Sequence, residues 1–167
     1  MSELYEIEIQ GGCYGEIRDQ DYDTSRFHVH HLISKEAWNR VGDDIVDTFG
    51  VTRFNRFITQ DGNHEWAPAI LMEKRDHEQT RSFYRPDWDG REAREQIDHE
   101  TEQLFRRGDV MGLLQEECDD IRARFGSKYN RAIAQMFASI RGQFRHQGHT
   151  LLIYDPFSGY YVKFRFG

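Results

Sequence analysis

The chain contains 167 residues, of which 38% are hydrophobic and 14% aromatic, so its length and composition favour one folded domain and argue against disorder. The chain has only two cysteines, which argues against a disulfide framework and for a reducing compartment. No apolar run approaches the roughly 18 residues of a membrane span. The acidic N-terminus lacks the features of a signal peptide. The net charge of −7 argues against nucleic-acid binding by bulk electrostatics, although segment 122–145 is basic and a local patch or bound cation could replace net charge.

The first 68 residues predict two strands and one long helix. Residues 4–9 alternate apolar and polar side chains, and residues 26–33 are aromatic and β-branched, so each segment is predicted to be a strand. Residues 34–50 have apolar side chains at helical spacing and are predicted to form an amphipathic helix capped by Ser34. Residues 51–68 are assigned to a turn of helix followed by a loop.

The rest of the chain is predicted to be mainly helical. A short apolar run at 69–73 predicts a strand. Four predicted helices follow, at 74–83, 89–108, 109–126 and 127–148. Two alternating runs within 150–166 flank the sequence Asp-Pro-Phe-Ser-Gly and predict a β-hairpin. Because no alternating βαβα order occurs, the predicted class is α+β with a high helix content.

Three histidines lie within four positions near the end of the strand predicted at 26–33. Side chains alternate along a strand, so His28 and His30 are expected on one face and His31 on the other, unless the strand bends. A neutral imidazole is both a metal ligand and a general base, so one member of the adjacent pair could bind a metal while the other faces a substrate. The alternative is that these are ordinary surface or core histidines.

A second candidate group lies at the start of the helix predicted at 74–83. There, a junction between a strand and a helix could place His77 next to the strand predicted at 26–33. Arg81 follows His77 by four positions on the same helical face, and either Arg81 or Arg75 could hold a phosphate through two hydrogen bonds. The alternative is a solvated helix start, in which Asp76 interacts with the helix dipole.

Three segments in this order, HHLI (30–33), PAILME (68–73) and DHEQTRSF (76–83), resemble the ββα-metal, or His-Me finger (HNH/endonuclease VII-like), nuclease domains of bacterial polymorphic toxins. The resemblance continues into DDIRARFGSKYNRAI (119–133), which is similar to an acidic-Ile-Arg-x-x-Phe-Gly-x-Lys-Tyr element in the helical tail of one such family. It implies a ββα-metal finger core embedded in a helix-rich α+β domain that spans 1–167. Its parts are an N-terminal strand region (1–25), the core (26–83), a helical part (89–148) and a C-terminal hairpin (149–167).

The resemblance also implies roles for the two histidine groups. It makes His31 the general base that activates water, and it makes His30 and His77 ligands of one divalent ion, which would be Mg, Mn, Zn or Ni. Arg81 is assigned to the substrate phosphate as a second catalytic residue. His28 would be a further ligand or a substrate contact.

Four further positions are accessory candidates. HNH enzymes often use an asparagine to fix the base imidazole, and the position where it would stand holds a proline here. We therefore expect Asn63 or His64 to take this role, unless a backbone carbonyl does. Asp76 and Arg75 complete the accessory set.

A metal-dependent endonuclease is the leading functional hypothesis. The resemblance implies a nucleic-acid substrate, with DNA favoured over RNA, and a cognate immunity protein that an acidic surface would steer to the basic segment 122–145 or to the rim of the site. It further implies a toxin made in a bacterial cytoplasm and delivered to a target cell by a secretion system. One alternative is a non-catalytic metal-binding or protein-interaction module, which suits the acidic balance. Another is a metal hydrolase of a different substrate, although the chain has no HExxH motif and no nucleophile elbow.

Overall fold

A computed structural model describes residues 3–33, 67–81, 83, 88–106, 110–140, 144–147, 150–155 and 160–165. The helix predicted at 34–50 and most of the following loop lie outside these residues. Asn63 and His64, the two candidates for fixing the base imidazole, also lie outside them, so their roles stay predictions.

One antiparallel sheet organises the first half of the fold. Its strands are β1 (Gly11–Cys13), β2 (Phe27–His31) and β3 (Pro68–Glu73), in the spatial order β1-β3-β2. The central strand β3 is buried along almost its whole length, as its continuous apolar sequence predicts. The register pairs His28 with Met72 and His30 with Ile70, and within the described part of the chain β2 forms one edge of this sheet.

The strand predicted at 4–9 is wrong, since a 3-10 helix occupies Glu3–Glu6. The backbone carbonyls of this segment accept hydrogen bonds from side-chain amides and not from a neighbouring strand. The Gln10 amide donates to the carbonyls of Leu4 and Ile7, and the Gln135 amide donates to the carbonyl of Glu8. Alternation at 4–9 is a local pattern, and these tertiary hydrogen bonds override it.

The five α-helices of the described chain are α1 (Tyr14–Arg18), α2 (Lys74–His77), α3 (Trp88–Arg106), α4 (Val110–Phe125) and α5 (Asn130–Ile140). The two helices predicted at 89–108 and 109–126 are confirmed within two residues at each end. The helix predicted at 74–83 is shorter, and the Thr80 hydroxyl donates to the carbonyl of its last residue, His77. None of the described helices is long and apolar enough to cross a membrane.

A second antiparallel sheet lies at the C-terminal end, with strands β4 (Phe144–Gln147), β5 (Thr150–Asp155) and β6 (Tyr160–Arg165) in that order. The predicted hairpin is confirmed, because Asp155 pairs with Tyr160 and the ladder continues to Thr150 and Arg165. The helix predicted at 127–148 was too long: α5 ends at Ile140, and β4 follows within the predicted span. The fold is therefore α+β, with five α-helices and two small antiparallel sheets among the described residues.

The core lies around the first sheet and helices α4 and α5. Its largest buried side chains are Leu4, Ile17, Ile33, Ile70, Leu71, Met72, Leu114, Ile121, Tyr129 and Ile133. Helix α5 lies so close to β1 that a Cβ atom on Gly11 would be 1.8 Å from the carbonyl oxygen of Ala132. Helix α4 ends at Phe125 and is followed by Gly126, whose φ of 62° is the left-handed conformation that favours glycine after a helix.

Candidate functional site

Strands β2 and β3 and helix α2 bring three histidines together. The Nδ1 atoms of His28 and His77 are 3.1 Å apart. The ring of His30 is also next to His77, with centroids 5.0 Å apart. Because His28 and His30 are two positions apart on β2, they share the face that α2 covers. The Lys74 amide donates to the Arg26 carbonyl, which fixes the start of α2 beside the start of β2.

Burial keeps two of these imidazoles neutral. It lowers the pKa of His77 to about 4, with a further contribution from His28. His30 is only 3% exposed, and burial, followed by the neighbouring His77, His31 and Arg94, lowers its pKa well below the usual value. A neutral imidazole has a lone pair available for a metal or a proton, so both residues are in the form that either role requires.

His31 lies on the opposite face of β2. Its ring stacks on Tyr14 of α1, with centroids 4.3 Å apart and an interplanar angle of 23°. Strand alternation therefore separates the predicted general base from the His28–His77 pair. The role of His31 as the base stays a prediction.

Arg81 and His30 are joined through Glu117 of α4. The Arg81 Nε donates to Glu117 Oε1 over 2.8 Å, and Glu117 Oε2 is 3.9 Å from His30 Nε2. Glu117 is only 4% exposed, and His30 Nε2 has no hydrogen-bond partner within the described parts of the chain. Arg81 thus neutralises a buried carboxylate beside the histidines, and its role in phosphate binding stays a prediction. Sequence reasoning missed Glu117, because no spacing rule links it to Arg81.

Asp76 is buried at 7% exposure and connects α2 to the turn between α4 and α5. Its Oδ2 accepts hydrogen bonds from Lys128 Nζ and from the Tyr129 hydroxyl, each over 2.6 Å. Lys128 also pairs with Glu73 at 3.0 Å. The side chain of Arg75 is 77% exposed and interacts with the same Glu73 carboxylate. Asp76 therefore holds α2 against this turn through two hydrogen bonds, so its role is not limited to an interaction with the helix dipole.

The described basic residues near this turn are mostly compensated. Arg124 Nε pairs with Asp120 at 2.8 Å, and Arg122 donates to the Asn130 side chain. Arg131 donates to backbone carbonyls of the N-terminal segment, including that of Tyr5. The positive charge of residues 122–131 is therefore partly used within the fold.

The separation of the two Nδ1 atoms in the His28–His77 pair can be compared with that of two nitrogens that bind one metal ion. Two nitrogens that bind one ion at about 2.1 Å are separated by roughly 3.0 to 3.4 Å, depending on the coordination angle. The measured separation of 3.1 Å falls in this range, and without a metal one imidazole donates to the other. The described residues contain no group of three or more histidine, cysteine, aspartate or glutamate side chains arranged for an ion. The described chain thus provides a histidine pair rather than a closed set of ligands.

No family model, no curated protein and no solved structure matches this chain. A function for the chain therefore has to be inferred from the site and from the resemblance of its motifs.

Proposed function

We propose that this chain is a metal-dependent nuclease with a ββα-metal core formed by β2, β3 and α2. The observation that carries the proposal is the 3.1 Å separation of the Nδ1 atoms of His28 and His77. It supports the proposal because the two residues lie in the motifs that resemble the nuclease family. The order strand, strand, helix also agrees with that resemblance.

In this proposal His28 and His77 hold one divalent ion, and His30 lies beside them as the third imidazole. Mg, Mn, Zn and Ni all remain candidates. The ion would act as a Lewis acid that stabilises negative charge on a phosphate. His28 thus moves from a candidate accessory residue to a proposed ligand, because its Nδ1 approaches that of His77.

The chain's own residues would bind the substrate and move the proton. We keep His31 as the base that takes a proton from water, as the resemblance implies. Among the described strands β2 lies at the edge of its sheet, so a substrate along this edge would contact side chains from both faces. Tyr14 would then fix the orientation of the His31 ring through their stacked contact. Arg81, already held by Glu117, would present its remaining N–H groups to a phosphate oxygen.

The wider biological proposal follows from the resemblance alone. The chain would act as an antibacterial toxin domain on nucleic acid, with DNA favoured over RNA. It would be produced in a bacterial cytoplasm, delivered to a target cell by a secretion system, and neutralised by a cognate immunity protein.

The test is cleavage of supercoiled plasmid and of total RNA by the purified protein. Each reaction contains Mg, Mn, Zn, Ni or EDTA, and the variants are His77→Ala and His99→Ala. His99 is an exposed histidine of α3 and serves as the matched control. Cleavage that requires a metal, vanishes in His77→Ala and persists in His99→Ala would support the nuclease and identify its substrate. No cleavage by the folded protein under any condition would overturn the proposal.

The second candidate is a non-catalytic metal-binding module. One observation favours it: the buried Glu117 carboxylate of α4 lies 3.9 Å from His30 Nε2, so negative charge stands beside the histidines where a phosphate would have to bind. Metal analysis of the purified protein separates the two candidates. A tightly held zinc without hydrolysis would favour the module, whereas a site with open coordination positions would favour the enzyme.

A further inference from the structure

We propose that Tyr129 and Lys128 are positioning residues that hold His77 against His28. The inference deepens the proposed function, because it concerns a residue that we assign to the metal. The two residues act from the turn between α4 and α5, and they act on Asp76, the residue immediately before His77.

Helix α2 cannot orient His77 by its own stability. It has only four residues, which is one turn, and isolated helices are marginal below about 12 residues. The direction of the His77 ring must therefore come from contacts that α2 makes with the rest of the fold. Asp76 and His77 are adjacent in this turn, so their side chains leave the helix in different directions.

The contacts at Asp76 form a clamp, by which we mean Glu73, Asp76, Lys128 and Tyr129. Two donors meet at Asp76 Oδ2 at 2.6 Å each. The Tyr129 hydroxyl also accepts a hydrogen bond from the Glu73 amide over 3.1 Å. Glu73 is the last residue of β3, so the clamp contacts both α2 and the strand that precedes it.

Both donors of the clamp stay protonated at neutral pH. Burial, and then the Asp76 carboxylate, raises the pKa of Tyr129. Burial acts to lower the pKa of Lys128, but its hydrogen bonds with Asp76 and Glu73 outweigh this and raise it. The Tyr129 side chain is also almost fully buried, at 1% exposure, so the geometry of the clamp is set by packing as well as by charge.

The site lies on the face of α2 that carries His77, which differs from the face that carries Asp76. The His77 ring contacts His28, His30 and Phe83, while the Thr80 hydroxyl donates to the backbone carbonyl of His77. A small rotation of α2 after loss of the clamp would therefore separate His77 from His28. Groups that orient metal ligands typically contribute tenfold to a hundredfold in metal affinity.

The experiment compares Tyr129→Phe and Lys128→Met with Tyr5→Phe in the full chain. Tyr5 is 46% exposed and takes no part in the clamp, so Tyr5→Phe controls for removal of a hydroxyl. Binding of Ni²⁺ is measured by calorimetry, and the ¹⁵N shifts of the His28 and His77 rings are recorded without metal. We expect about a tenfold loss of Ni²⁺ affinity in each clamp variant, a change in both ring spectra, and wild-type values for Tyr5→Phe.

Unchanged ring spectra and unchanged Ni²⁺ affinity in a folded clamp variant would overturn the inference, even if thermal stability fell. Lys128→Met removes a partly exposed donor and keeps the buried Tyr129 ring, so it provides a test if Tyr129→Phe does not fold. Failure of the proposed function is recognised separately. If the wild type binds no metal and cleaves nothing, the ring spectra still decide whether the clamp positions His77.

Discussion

The Nδ1 atoms of His28 and His77 lie 3.1 Å apart although the two residues are 49 positions apart in the chain. The contact depends on the antiparallel pairing of β2 with β3, which returns the chain to the start of β2 before α2 begins. The pair is therefore produced by the order of two strands and one helical turn. Each of its two residues can be tested by a single substitution.

Replacing either histidine of the pair should strongly weaken metal binding at the site. We expect His28→Ala and His77→Ala each to lower Ni²⁺ affinity by more than about 100-fold, since residues that only support a ligand already cost up to that amount. Calorimetric titration provides the measurement, with His99→Ala as the control. An affinity in His28→Ala close to that of the wild type would show that His28 is not a ligand.

The assignment of the general base can be tested between neighbouring residues. If His31 is the base, His31→Ala should lower kcat by a factor of roughly 100 to 10,000 while leaving metal affinity unchanged. The reason is that His31 stacks on Tyr14, on the face of β2 away from His77. Plasmid cleavage and metal titration are measured on the same preparation. Full activity in His31→Ala, together with loss in His30→Ala, would transfer the role to His30.

The ion pair between Arg81 and Glu117 should be important for stability as well as for catalysis. Arg81→Gln leaves the Glu117 carboxylate buried without its 2.8 Å partner, and we expect a loss of roughly 3 kcal/mol in the free energy of unfolding. The double variant Arg81→Gln/Glu117→Gln removes both charges and should recover most of this loss. Urea unfolding measures each variant.

Activity of that double variant then separates the two roles of Arg81. A stable double variant without nuclease activity would agree with a phosphate contact by Arg81. A stable double variant with wild-type kcat would show that Arg81 serves the fold alone.

The sequence predicted the parts of the site that local patterns control. Strand β3 is a continuous apolar run and β2 is rich in aromatic and β-branched residues, so both strands, and the shared face of His28 and His30, could be predicted from alternation. His77 was expected near β2 because it follows β3 directly. Each of these inferences depends on neighbours within a few positions.

The rest of the site depends on contacts between distant segments. Glu117 meets Arg81 across 36 positions, and Tyr129 meets Asp76 across 53. Pairings of this kind leave no periodic trace in one sequence. The strand predicted at 4–9 failed for a similar reason, because the amide of Gln135 bonds to that segment from 127 positions away.

Gly11 should tolerate no side chain, because helix α5 lies directly over it. A Cβ atom there would be 1.8 Å from the Ala132 carbonyl oxygen and 2.9 Å from the Met136 amide nitrogen. We expect Gly11→Ala to lower the free energy of unfolding by about 3 kcal/mol or to prevent folding, since backbone on both sides must move. Gly126→Ala is the comparison: its Cβ meets nothing within 4 Å, and only the left-handed φ costs about 1 kcal/mol. Equal stability of the two variants in urea would contradict the close packing of α5 on β1.

Both cysteines should be unreactive in the folded protein. Burial, and then the Glu16 carboxylate, raises the pKa of Cys13 to about 11, and burial raises the pKa of Cys118 to about 12. At pH 8 the thiolate form is then about one part in a thousand or less, and the thiolate is the reactive species. We expect a disulfide reagent such as DTNB to label no thiol in the native chain and both thiols after unfolding. Because each folded pKa lies above the ordinary value of 9.0, the thiols should also make the fold less stable as pH rises above 9. Rapid labelling of native protein at pH 8 would contradict the expected lack of thiol reactivity, and Cys13→Ser would identify which thiol had reacted.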